Sequence, residues 1–81
     1  MFHRVKEVNI MKDYILHITF QDGSEKYYDV SKLFSKWDIF QNLKTVVGLF
    51  EQVKVDKGGY GISWNDEIDL SCDELWENGY I

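Results

Sequence analysis

Two glycine-bearing turns, Phe20-Gln21-Asp22-Gly23-Ser24 and Lys57-Gly58-Gly59-Tyr60, each separate a pair of short runs whose apolar residues alternate. Glycine supplies the positive φ that tight hairpin loops require, and a period of two marks a strand with one buried face. Two hairpins commit so much of an 81-residue chain to antiparallel sheet that one α+β domain, residues 1–81, is the economical expectation. The predicted architecture is a small antiparallel or mixed sheet of about five strands built from two hairpins. Short helical turns fill the middle, and a final helix packs on the sheet.

The register of the first hairpin follows from its side chains. Tyr14, Leu16, Ile18 and Phe20 share one face of a strand, with His17 and Thr19 on the other. A two-residue loop at Asp22-Gly23 would set Phe20 against Glu25 and Leu16 against Asp29, placing acids on the apolar face. A three-residue loop, Gln21-Asp22-Gly23, sets Leu16 against Tyr28 and Tyr14 against Val30, with Gly23 in the left-handed position. The second register is therefore predicted. Val8 and Ile10 alternate as an earlier strand, joined through Lys12-Asp13.

From Ser31 the period changes. Leu33, Phe34, Trp37, Phe40 and Leu43 recur at spacings of three and four, which predicts short helical turns, with Ser35 and Asp38 placed as a capping pair. Thr45–Phe50 is open to either strand or helix. Val53 and Val55 pair with Tyr60, Ile62 and Trp64 across the second turn, and Ile68-Asp69-Leu70 forms a brief strand. Ser71 and Glu74 match a capping box, Leu70 and Leu75 a hydrophobic staple, and Gly79 the position just past a helix end. Cys72, Leu75 and Trp76 then share the face that meets the sheet.

Charge is unevenly distributed. The net charge is −5, and every acid in excess lies in the last stretch, where Asp66, Glu67, Asp69, Asp73, Glu74 and Glu77 meet no Lys or Arg. Nucleic-acid affinity rests on phosphate neutralisation by Lys and Arg, so DNA or RNA is not an expected partner, whereas a basic protein is. No run reaches the roughly 18 apolar residues of a membrane span, and the first residues show no secretion-signal pattern. A single cysteine excludes an internal disulfide and fits a cytoplasmic protein.

No residue set specifies a reaction. His3 and His17 are the histidines and Cys72 the one thiol, and Cys72 sits on the apolar face of a short helix, where cysteine acts as a small hydrophobe. His17 lacks the His-x-x-x-His or Cys-x-x-Cys partners of a metal site. The acids near Asp66 lack the alternating ligands and central glycine of a calcium loop. Lys57-Gly58-Gly59-Tyr60-Gly61 lacks the Gly-Lys-Ser/Thr ending of a phosphate loop. No enzyme activity, cofactor or metal is expected. Trp37, Trp64 and Trp76 suit a core, yet three tryptophans, five tyrosines and five phenylalanines exceed what so small a domain hides, which predicts an exposed aromatic patch.

Phe20-x-Asp22-Gly23, Asp29-Val30-Ser31, Phe40-x-x-Leu43, Phe50-x-x-Val53, Trp64, Asp69-Leu70 and Leu75 occur in an order that resembles the small bacterial domain-of-unknown-function family 2442, across nearly the whole chain. The resemblance implies a compact α+β domain and carries no catalytic residue. Some relatives bear an added helix-turn-helix domain, not expected here, and others are encoded beside a second small protein in a toxin–antitoxin-like arrangement. The proline-containing turn that many relatives place before the last helix is missing, and Ser71 takes its capping role. The leading expectation is a non-enzymatic cytoplasmic protein-interaction domain, the acidic member of a bacterial pair, with Trp64, Asp66, Asp69 and Trp76 as contacts. The first alternative is a ligand-binding or enzymatic domain using His17, Cys72 or the late carboxylates. The second is a homo-oligomeric domain, as a dimer burying its apolar excess in a symmetric interface.

Overall fold

A computed structural model describes residues 3–81. Its first half is a three-stranded antiparallel sheet of β1 (Val5–Ile10), β2 (Ile15–Phe20) and β3 (Glu25–Asp29), in that order. Leu16 lies opposite Tyr28, as the three-residue loop requires, and Gly23 takes φ 92°. Asp22 fixes the loop by accepting from the Ser24 amide at 2.9 Å and the Ser24 hydroxyl at 2.6 Å. Those two bonds hold the Asp22 carboxyl below its ordinary range.

Tyr14 is not part of the strand. It ends the β1–β2 turn, where Asp13 and Tyr14 have φ of 61° and 63°, a conformation costly for a bulky residue. Edge-on contacts of the Tyr14 ring with Phe34 and Phe50, centroids 5.1 and 5.0 Å away, hold it there. On β1 the register shifts between Val5 and Glu7. The extra residue returns Val5 to the core side, where it is buried, a face switch that strict alternation from Val8 and Ile10 does not reveal.

The second half is a separate sheet, which corrects the expected five-strand layout. β4 (Lys54–Val55), β5 (Gly61–Ser63) and β6 (Asp69–Ser71) pair antiparallel in chain order. Between the sheets the chain forms 3-10 turns at Val30–Leu33, Asp38–Gln41 and Phe50–Gln52, and the short helix α1 (Asn42–Thr45). These turns bury Leu33, Phe40, Leu43 and Phe50 but supply no strand to join β3 to β4. The capping residue here is Asp29, which accepts from the Ser31 amide at 3.0 Å, whereas the turn beginning at Asp38 has no side-chain cap. The Ser35–Asp38 pairing is thereby corrected. Trp37 is likewise exposed rather than buried, and Val47 is fully exposed in a turn that is neither strand nor helix.

β1 packs against β4 and β5. Gly59 (φ 80°) makes that approach feasible, because a Cβ there would lie 2.5 Å from the Val5 carbonyl oxygen. The last helix, α2 (Cys72–Asn78), packs on β3, β5 and β6, so one helix contacts both sheets. Its N-cap is Ser71, whose hydroxyl accepts from the Glu74 amide at 3.1 Å. The reciprocal half of the capping box is absent, since Glu74 turns to Tyr28. Leu16, Ile18 and Phe20 from β2 meet Ile62, Ile68 and Leu75 in one core.

Three substitutions check this account by urea unfolding. Ser71→Ala lowers stability by about 1 kcal/mol through loss of the cap. Gly48→Ala, at φ 83° in open space, costs about 1 kcal/mol of left-handed strain. Gly59→Ala adds the clash with Val5 to that strain and costs about 3 kcal/mol or more.

Candidate functional site

The β2–β3 hairpin has a core face and an outer face, and the outer one is unusual. Alternation puts Ile15, His17 and Thr19 of β2 outward beside Glu25, Tyr27 and Asp29 of β3. Polar residues fit such a face; Ile15 and Tyr27 do not. His17 is held at its centre, its Nε2 2.7 Å from Glu25 Oε1 and its ring 5.1 Å from that of Tyr27. Toward the β1–β2 turn, Met11, Lys12, Ile15, Tyr27, Tyr80 and Ile81 line an open, mostly apolar groove of about 310 Å³. Met11 is 46 % exposed and Tyr80 44 %.

Tyr80 reaches this face because the chain leaves α2 sharply. Gly79 has φ −76° and ψ 164°, so it ends the helix in extended backbone, not in the left-handed region. Glycine is needed there for closeness: a Cβ would press on the Leu75 carbonyl and come 3.1 Å from the Tyr27 carbonyl oxygen. Tyr80 then pairs with Tyr27, the Tyr27 amide donating to the Tyr80 carbonyl at 2.7 Å and the Tyr80 amide to the Tyr27 carbonyl at 2.8 Å. Their rings stack at 5.9 Å.

A second recess, about 230 Å³, opens on the other side of β3 among Tyr28, Asp29, Lys32, Lys36, Glu74 and Asn78. Tyr28 is buried, and its hydroxyl donates to Glu74 Oε2 at 2.7 Å. Burial first, then the bond to Glu74, raises the Tyr28 phenol far above its ordinary value. That hydroxyl is therefore a fixed donor at neutral pH and no base.

The four contact residues expected from the sequence do not form one surface. Trp64 belongs to the core, its indole N–H donating to the Phe50 carbonyl at 3.1 Å, so it offers no external contact. Trp76 is half-buried between neighbours: the His3 ring stacks on it at 3.6 Å, Phe20 meets it edge-on, and Lys26 Nζ lies 4.3 Å from its ring centre. Asp66 and Asp69 are exposed, Asp66 on the β5–β6 turn and Asp69 on β6. That turn is held by Asn65 Oδ1, which accepts from the Glu67 and Ile68 amides at 2.9 Å each. The groove residues Met11, Ile15, Tyr27 and Tyr80 were missed. The available signal was Ile15 and Tyr27 occupying the polar phase of a hairpin whose register was already determined.

His17 and Cys72 do not converge either. His17 faces outward from β2, whereas Cys72 is buried at the start of α2. Burial, then the Asp73 charge, pushes the Cys72 thiol up, away from the nucleophilic thiolate. Among the described residues no three His, Cys, Asp or Glu side chains are grouped to hold a metal ion, and no helix is long and apolar enough to cross a membrane.

Two measurements test these environments. Cys72 reacts with a disulfide thiol reagent only as fast as the native protein opens, and at once in denaturant. The Tyr28 proton gives a signed pH effect. Its folded-state pKa lies above the unfolded 10.0, so its contribution is complete below pH 10 and declines as the pH rises further. The stability advantage of the natural protein over Tyr28→Phe, read from urea curves, therefore shrinks above pH 10.

No curated protein and no solved structure matches the chain. A family model does: it is described as a protein of unknown function, DUF2442, and aligns with residues 5–80. With nearly the whole fold inside that match, the chain belongs to the DUF2442 family.

Proposed function

We propose that this protein is a non-enzymatic interaction domain of the bacterial cytoplasm that binds a basic protein through the outer face of the β2–β3 hairpin. The groove of Met11, Ile15, Tyr27, Tyr80 and Ile81, with Lys12 at its wall, carries the reading through its apolar surface. Contiguous exposed apolar surface on a small soluble domain marks a docking face. The −5 net charge favours a partner of opposite sign and steers its approach. A buried thiol with a raised pKa, and a histidine tied to Glu25 on a sheet face, support contact rather than catalysis.

An acidic antitoxin-like member of a two-protein pair is the form of this reading that the charge favours. The acidic end, Asp66 and Asp69 included, then supplies long-range attraction, and the groove supplies the desolvated contact. A second reading, small-ligand binding, is favoured by the recess at Tyr28, Lys32, Lys36 and Glu74. Its balanced charges and modest volume suit a small polar molecule.

Affinity capture from the host separates these. The natural protein retains a basic protein whose binding weakens with salt. Met11→Lys/Ile15→Lys keeps the melting temperature and loses that protein. Asp66→Lys/Asp69→Lys slows its association and flattens the salt dependence. A partner held equally by the groove variant, or none recovered at any salt concentration, overturns the proposal.

A further inference from the structure

The recess beside Tyr28, of about 230 Å³, gathers charges of both signs. It lies where β3 ends and the Val30–Leu33 turn begins, against one face of α2. Glu74 and Asn78 stand four positions apart on α2 and therefore share that face. Lys32 comes from the turn, Lys36 from the bend after it, and Asp29 from the end of β3. Among the described residues neither lysine forms an ion pair with Asp29 or Glu74.

Three of these four charges are held by other partners. Asp29 turns Oδ1 to the amide and hydroxyl of Ser31. Glu74 Oε2 accepts from the buried Tyr28 hydroxyl at 2.7 Å. Lys36 Nζ sits 4.7 Å from the centre of the Trp37 ring. Each anchor fixes a charge at the recess while using only part of its bonding capacity. Among the described residues, the second oxygen of each carboxylate, the Lys32 ammonium and the Asn78 side-chain amide have no hydrogen-bond partner.

That arrangement selects an occupant. A simple anion is drawn to Lys32 and Lys36 but repelled by Asp29 and Glu74, and a simple cation meets the reverse. A zwitterion gains both attractions. Its carboxylate takes the lysines, its ammonium takes the carboxylates, and the Asn78 amide serves either group. The volume falls below the roughly 300 Å³ at which ordinary ligand pockets begin, which restricts the occupant to a small metabolite. Leu33, the one aliphatic side chain of the lining, is itself buried, so no apolar floor waits for a large side chain.

We propose that this recess binds a small zwitterion, a free amino acid with a short polar side chain. The proposal rests on the small-ligand reading above, names its ligand class, and is independent of protein docking at the groove.

The probes are L-serine and its two halves: 3-hydroxypropionate, which lacks the ammonium, and ethanolamine, which lacks the carboxylate. Each is titrated into the protein at neutral pH and constant ionic strength and followed by amide NMR shifts. L-serine binds in the millimolar range and moves the Lys32, Glu74 and Asn78 amides, and each half-molecule binds about tenfold more weakly. Lys32→Met removes an exposed ammonium and weakens L-serine about tenfold. Glu74→Gln keeps an acceptor for Tyr28 and weakens L-serine by a similar factor. Met11→Lys/Ile15→Lys binds L-serine as the natural protein does. A half-molecule that matches L-serine overturns the zwitterion and leaves the recess a general polar-ligand site. L-serine binding unchanged in both Lys32→Met and Glu74→Gln overturns the assignment to this recess. If none of the three probes moves an amide there, the small-ligand reading falls as well, while partner capture continues to test the groove.

Discussion

The structure depends on a core shared between two sheets too small to stand alone. A three-stranded sheet with one apolar face gains stability only by covering that face. Here each sheet covers the other's, and α2 closes the remaining side by packing on β3, β5 and β6. Cys72 and Leu75 lie on its buried face, with the aromatic ring of Trp76 at the margin. Placing hydrophobic area between two sheets and one helix buries sixteen apolar side chains of the described residues in a single cluster. It also encloses two polar groups: the Cys72 thiol is buried, and the Glu74 carboxylate is bound to Tyr28.

The same helix determines the surface. Because α2 ends beside β3, Gly79 carries the chain directly onto the strand edge, and Tyr80 pairs there. The apolar groove is bounded by that pairing, by the β1–β2 turn, and by the outward residues of β2 and β3. The groove and the core are thus linked through one helix end. Charge is arranged separately: Asp66 and Glu67 of the β5–β6 turn and Asp73 and Glu77 of α2 lie exposed, whereas Glu74 turns inward to Tyr28.

Local signals were legible wherever neighbours in sequence are neighbours in space. The first hairpin's register could be worked out because one phase of β2 and β3 is apolar and the loop must keep it so. Ser71 announced a helix start, and its hydroxyl does cap α2. Where a partner comes from far along the chain, sequence spacing misled. Glu74 bonds Tyr28 from 46 positions away instead of closing its capping box. Trp64 and Trp76 could not be sorted into core and surface, since what covers each ring is contributed by other elements. Trp37, at helical spacing, lies on a turn that leaves it 42 % exposed.

What the amino-acid order determined by itself was the set of local elements: two hairpins with their glycine turns, short helical turns between them, a capped final helix and an acidic tail. Those depend on backbone torsions and on periodicity within a few residues. Only the tertiary structure decided that the strands divide into two sheets, that the bulge at Lys6 sends Val5 inward, and that Tyr80 returns to β3. Each of these is a choice among distant partners, made by which arrangement buries the most apolar surface.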